Sequence, residues 1–160
     1  MNNNNSDWRF WEQPAADVRS LYAFLAIEAV RDQNEALTTP LLMALLRAVH
    51  EEKRQPNDLE MVREVAQGVG GVDVQRMMRE MGHQELRRRV AADYERAANE
   101  YDIFGTPTLL FEGGEPVFLK MSPPAPQPEA GDLFTVVQRM SREMSYVQEM
   151  KKAKRPETFG

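Results

Sequence analysis

The stretch Tyr101-Asp102-Ile103-Phe104-Gly105-Thr106-Pro107-Thr108-Leu109-Leu110-Phe111 marks the point where the periodicity of this chain changes. Before it, apolar residues recur every three or four positions, the spacing of helices with one buried face. From Thr108 onward come two short β-prone runs, Thr108 to Phe111 and Val117 to Met121. Gly113 and Gly114 lie between them, so the pair reads as a hairpin closed by a primed-type turn. Thr106-Pro107 stands at the mouth of the first run. A trans proline is tolerated at a first strand position, and such a mouth is also a place for the rarer cis form. The local sequence leaves both isomers open.

Working upstream, Pro14 reads as a helix start, and Val18, Leu21, Tyr22, Leu25, Ile27 and Ala29 predict a helix over 15–34. Thr39-Pro40 reads as a cap and first-turn proline for a second helix carrying Leu41, Leu42, Leu45, Leu46 and Val49. Asn57 or Asp58 caps a third, with Leu59, Met61, Val62, Val65 and Ala66, which Gly68, Gly70 and Gly71 end. Asp73 caps a short fourth helix with Val74, Met77, Met78 and Met81, and Gly82 breaks it. A fifth is predicted over 83–100, with Leu86, Val90, Ala91, Tyr94, Ala97 and Ala98 inward. Trp8, Phe10 and Trp11 precede Pro14 as either a short strand or an aromatic lid on the core, and the lid is the reading adopted.

Downstream, Pro123, Pro124, Pro126 and Pro128 predict a stiff extended connector. Leu133, Phe134, Val136, Val137, Met140 and Met144 predict a last helix over 129–144. Lys151, Lys152, Lys154 and Arg155 form a basic tail. The expected fold class is therefore α+β and predominantly helical. Its expected parts are a loose, aromatic lead-in over 1–14, a helical domain over 15–104, a hairpin with its helix over 105–145, and a tail over 146–160.

Composition narrows the function classes. The 160 residues are 42% hydrophobic and 28% charged, the balance of a globular chain rather than a disordered one. There is no cysteine, which excludes disulfides, thiolate metal sites and a cysteine nucleophile supplied by these residues. Only His50 and His83 are histidines, and neither has a metal-ligand spacing, so no metal and no cofactor is expected. A net charge of −5 argues against nucleic acid as a partner. No apolar run approaches the ~20 residues of a membrane span. The stretch from Met1 to Ser6 has no apolar centre of a leader, so the expected compartment is the cytoplasm. Arg87-Arg88-Arg89 is expected on a solvated ion-paired face with Glu85 and Asp93, and Met77, Met78 and Met81 in the helical core.

The segment from Tyr101 to Phe111, with helices before it and a hairpin after, resembles the DsbA-like branch of the thioredoxin superfamily. That family inserts a helical domain into a thioredoxin fold. Ala44-Leu45-Leu46-Arg47-Ala48-Val49-His50-Glu51-Glu52, the Gly71-Val72-Asp73 turn, Trp11-Glu12-Gln13-Pro14 and the stretch from Glu149 to Pro156 are also similar to it, so the likeness runs from Trp8 to Pro156. It implies kinship with thiol–disulfide oxidoreductases, whose nucleophilic cysteine sits in a CxxC at a helix N-terminus. With no such motif, the chain is expected to be a truncated member that lacks the CxxC half and is redox-inactive, with no catalytic residue. Its ten methionines do not replace a thiol.

Two alternatives follow from the same resemblance. One is a non-catalytic module that binds a peptide or partner. The other is a remnant of a glutathione-dependent transferase or isomerase, whose relatives use a serine. Ser6 is the serine considered for that role, yet no strand and helix flank it in the required order. By the resemblance, Thr106 and Pro107 are the binding residues, offering main-chain groups to an extended peptide or to glutathione. The first apolar run is then an open strand edge, and such edges invite pairing. Self-association, or a strand-donating partner, is the expectation.

Overall fold

The computed structural model describes residues 8–121 and 125–150. The asparagine-rich start, Pro123, Pro124 and the basic tail lie outside the described residues. The chain divides into two compact units, Met1–Glu95 and Arg96–Gly160.

In the first unit, α1 (Leu21–Gln33) packs against α2 (Thr38–His50), α3 (Leu59–Gln67) and α4 (Val74–Glu80). α5 (Gln84–Tyr101) begins here. Leu21, Leu25, Leu41, Met61, Met77, Val30 and Val62 are fully buried between them. Burial of each of these side chains contributes about 1.5–3 kcal/mol, so the helical core is the main stabilising mass. Asp58 and Asp73 cap α3 and α4 as their positions predict, accepting from the amides of Glu60 and Arg76 at 2.9 Å each. The methionines behave as gap-fillers, with Met77 and Met81 buried and Met78 packed at the margin.

Three local expectations are corrected. The helix predicted over 15–34 is interrupted. Ala15–Asp17 form a single 3-10 turn, and Ser20 has φ +71°, a left-handed conformation that α-helix cannot include. α1 therefore starts at Leu21. Thr39 is not a cap. The Asn34 side chain accepts from the Ala36 amide at 3.0 Å and opens a 3-10 turn, Glu35–Leu37, that runs straight into α2, with Pro40 in its first turn. The arginine run is also less uniform than expected. Arg88 pairs with Glu85 at 3.4 Å, but Arg89 reaches Asp32 at 2.6 Å on α1. Arg87 donates to the carbonyls of Trp11 and Gln13 at 2.7 and 2.9 Å, which ties down the lead-in. Packing between distant segments overrides the i to i+4 neighbours.

That lead-in is a lid and not a strand. Phe10–Glu12 form a 3-10 turn, Phe10 packs on the core, and its ring meets Trp11 and Tyr94 edge-on at 4.9 and 5.3 Å.

In the second unit, β1 (Thr108–Leu109) pairs antiparallel with β2 (Val117–Phe118), with Thr108 opposite Phe118 and Leu109 opposite Val117. The strands are shorter than predicted because the chain leaves the ladder to turn at Phe111–Gly114, where the Gly114 amide donates to the Phe111 carbonyl at 2.9 Å. Gly113 has φ +72° and Glu112 does not have a positive φ, which is the requirement of a type II turn and not of a primed one. α6 (Gln127–Glu143) begins two residues before the predicted start. Pro126 is its N-cap and Pro128 lies in its first turn, where the missing amide costs nothing, so half of the proline connector belongs to the helix start. Among the described residues, no helix is long and apolar enough to cross a membrane.

Candidate functional site

The end of α5, the hairpin and α6 build the site. Asp102, with φ +50°, turns the chain out of α5, and the Ile103 amide returns to the Ala97 carbonyl at 3.1 Å. Gly105 then passes under the Phe118 ring, where a Cβ would come within 3.0 Å of the ring. The Thr108 hydroxyl donates back to the Gly105 carbonyl at 2.6 Å and closes the loop. The Thr106–Pro107 peptide bond inside that loop is cis. Thr106 and Pro107, the two predicted binding residues, thus stand together at the mouth of β1. Ser6 lies outside the described residues.

Hydrogen-bond phase decides which way β1 faces. The Leu119 amide donates to the Pro107 carbonyl at 3.0 Å, so Pro107 and Leu119 form a bonded pair. Bonded and non-bonded pairs alternate along an antiparallel ladder. Thr108, opposite Phe118, is therefore in a non-bonded pair, and its N–H and C=O point away from β2. Among the described residues the sheet has two strands, and β1 has no neighbour on that side.

α6 holds the hairpin tip. The Ser141 hydroxyl donates to the Glu115 carbonyl at 2.6 Å, and the Glu115 amide donates to the Ser141 carbonyl at 2.8 Å. Arg142 adds a bond to the Glu112 carbonyl at 3.1 Å. Gly114 permits this approach, since a Cβ there would lie 2.2 Å from the Ser141 hydroxyl oxygen. The periodicity hid this clamp, because Ser141 stands four residues after Val137 on the buried face of α6 and counts there only as a polar interruption. The signal was the glycine doublet, in which one glycine serves the turn and the other the close contact.

The unit is short of apolar cover. Among its described residues Val137 is the one buried hydrophobic side chain, while Phe104 is 83% exposed, Phe134 52% and Leu110 45%. A cleft of about 300 Å³ opens beside β1, lined by Tyr101, Asp102, Phe104, Thr108, Glu115 and Phe118 among others. Both histidines belong to the first unit, and the chain has no thiol. Among the described residues no group of three His, Asp or Glu side chains is placed to hold a metal. The arrangement therefore offers main-chain hydrogen bonds, aromatic surface and two carboxylates.

In chain order the described residues give a helical unit, the Thr106-Pro107 loop at a strand mouth, a hairpin and a last helix. The DSBA-like thioredoxin domain family matches over residues 10–130, most of the chain, and the chain belongs to that family. No curated protein matches it. The matched segment contains no cysteine and hence no CxxC.

Proposed function

We propose that this chain acts as a non-catalytic binding module, in which the Thr106-Pro107 loop and the free edge of β1 take an extended segment of a partner polypeptide. The outward N–H and C=O of Thr108 carry this reading. An incoming strand would satisfy both groups and cover the exposed apolar side chains beside them, the usual mode of strand addition. These 160 residues supply no thiolate, so the module performs no thiol–disulfide exchange of its own.

A second copy of the chain is one source of such a strand, and a separate polypeptide is another. Sedimentation velocity over a wide concentration range, alone and with a peptide alternating valine and threonine, tests the reading. The expected result is either self-association or peptide binding, in each case lost in Thr106→Arg, whose side chain obstructs the loop. A chain that stays monomeric and binds no peptide, or one whose association is indifferent to Thr106→Arg, refutes it.

A further inference from the structure

We infer that the cleft beside β1 is a receptor for an arginine side chain of the bound polypeptide. Its wall carries three aromatic rings, Tyr101, Phe104 and Phe118, and two carboxylates, Asp102 and Glu115. Neither carboxylate has a side-chain partner among the described residues, so both remain available to an incoming cation. Phe104 is 83% exposed and touches Phe118 with ring centres 5.1 Å apart, so an aromatic surface stands in water without a cover.

Aromatic faces beside unpaired carboxylates select a cation with a flat, weakly hydrated surface. A guanidinium meets both demands, stacking on a ring while its N–H groups serve a carboxylate. A lysine ammonium is more strongly hydrated and cannot stack, so arginine is preferred. The volume of about 300 Å³ accommodates such a side chain with its stem. Thr108 belongs both to the cleft lining and to the open edge, so a strand paired with Thr108 brings one of its side chains over the cleft. This inference deepens the strand-addition reading and rests on it for the source of the arginine. The cleft chemistry itself can be probed without a strand.

The test is a ¹⁵N NMR titration of the full chain with N-acetyl-arginine amide, using N-acetyl-citrulline amide as the uncharged isostere. The expected result is saturable shifts confined to 101–104 and 115–118 for arginine, and binding at least about fivefold weaker for citrulline. Asp102→Asn and Glu115→Gln should each weaken arginine binding about two- to fivefold, the range of a solvent-exposed ion pair. Phe104→Leu, at a site too exposed to affect folding, should weaken it while leaving both carboxylates in place. Equal shifts for arginine and citrulline, shifts elsewhere, or none at all overturn the inference. If arginine amide binds in the cleft but neither the valine–threonine peptide nor a second copy of the chain perturbs Thr108, strand addition fails and the cleft assignment stands. The reverse pattern sinks the cleft assignment alone.

Discussion

Replacing Gly114 by alanine should release the hairpin tip from α6. The new Cβ would lie 2.2 Å from the Ser141 hydroxyl oxygen, 2.9 Å from its carbonyl oxygen and 3.1 Å from its carbonyl carbon. Two of these atoms are backbone, so turning the serine side chain relieves only the first contact. The tip must therefore move, and the two bonds between Ser141 and Glu115, at 2.6 and 2.8 Å, are lost. Each contributes about 1 kcal/mol net, and leaving the buried Ser141 hydroxyl unpaired adds about 1 kcal/mol more. A total near 3 kcal/mol corresponds to roughly a 100-fold larger open population at the clamp. Native-state hydrogen exchange reads it directly, since the Glu115 amide should exchange roughly 100-fold faster in Gly114→Ala. Adding Ser141→Gly removes the hydroxyl contact but not the backbone one, so it should not restore wild-type protection. Exchange at Glu115 within about threefold of wild type, in a variant with a native spectrum, would show that the clamp is not what holds the tip.

Other consequences can be checked by standard means. Gly113→Ala forces a side chain into φ +72° and should cost about 1–2 kcal/mol, seen as a lower urea midpoint for the hairpin signals. Arg87→Ala removes the bonds to the Trp11 and Gln13 carbonyls and should loosen the lid. Because Trp8 and Trp11 are the two tryptophans of the chain, their emission should shift to the red without loss of helix content, and an unchanged spectrum would remove Arg87 from that role. Leu41→Ala, in the fully buried helical core, should cost about 2–5 kcal/mol in chemical denaturation. Glu28 is 4% exposed and its Oε2 lacks a partner among the described residues, so burial raises its carboxyl above the usual range despite the Arg31 guanidinium at 2.6 Å. The folded state then holds this proton to a higher pH than the unfolded state, and the stability it contributes declines as pH rises from the ordinary carboxyl range through the raised value. Glu28→Gln should thus gain stability relative to wild type as pH rises above the ordinary carboxyl range, whereas a flat difference would mean the carboxyl is not perturbed.

The helical half of the fold was legible because its signals are local. Asp58 and Asp73 cap through bonds two or three residues away, and the apolar spacing of α1 to α4 reports one shared core. What the sequence hid was settled by contacts between distant segments. Ser20 adopts a left-handed conformation that no local rule assigns to serine. Arg89 crosses to Asp32 although Glu85 and Asp93 stand nearer in sequence. The strands were overlong in the reading because apolar character continues to Phe111, whereas that side chain leaves the ladder to meet Phe134 at 5.3 Å. Of the candidate site, the Thr106-Pro107 loop and the open edge were readable from one phrase. The Ser141 clamp and the aromatic–acidic cleft were not, because their members lie up to 27 positions apart and come together only in the folded unit.

The central claim is that β1 presents an edge ready for a strand, and the Thr108 amide reports on it. Hydrogen exchange should find this amide unprotected in the dilute free chain while the Leu119 amide, bonded to the Pro107 carbonyl, is protected. Addition of an extended arginine-containing peptide should then protect Thr108 in step with binding. A Thr108 amide already protected in the monomer, or one that stays unprotected at saturating peptide, would contradict the account.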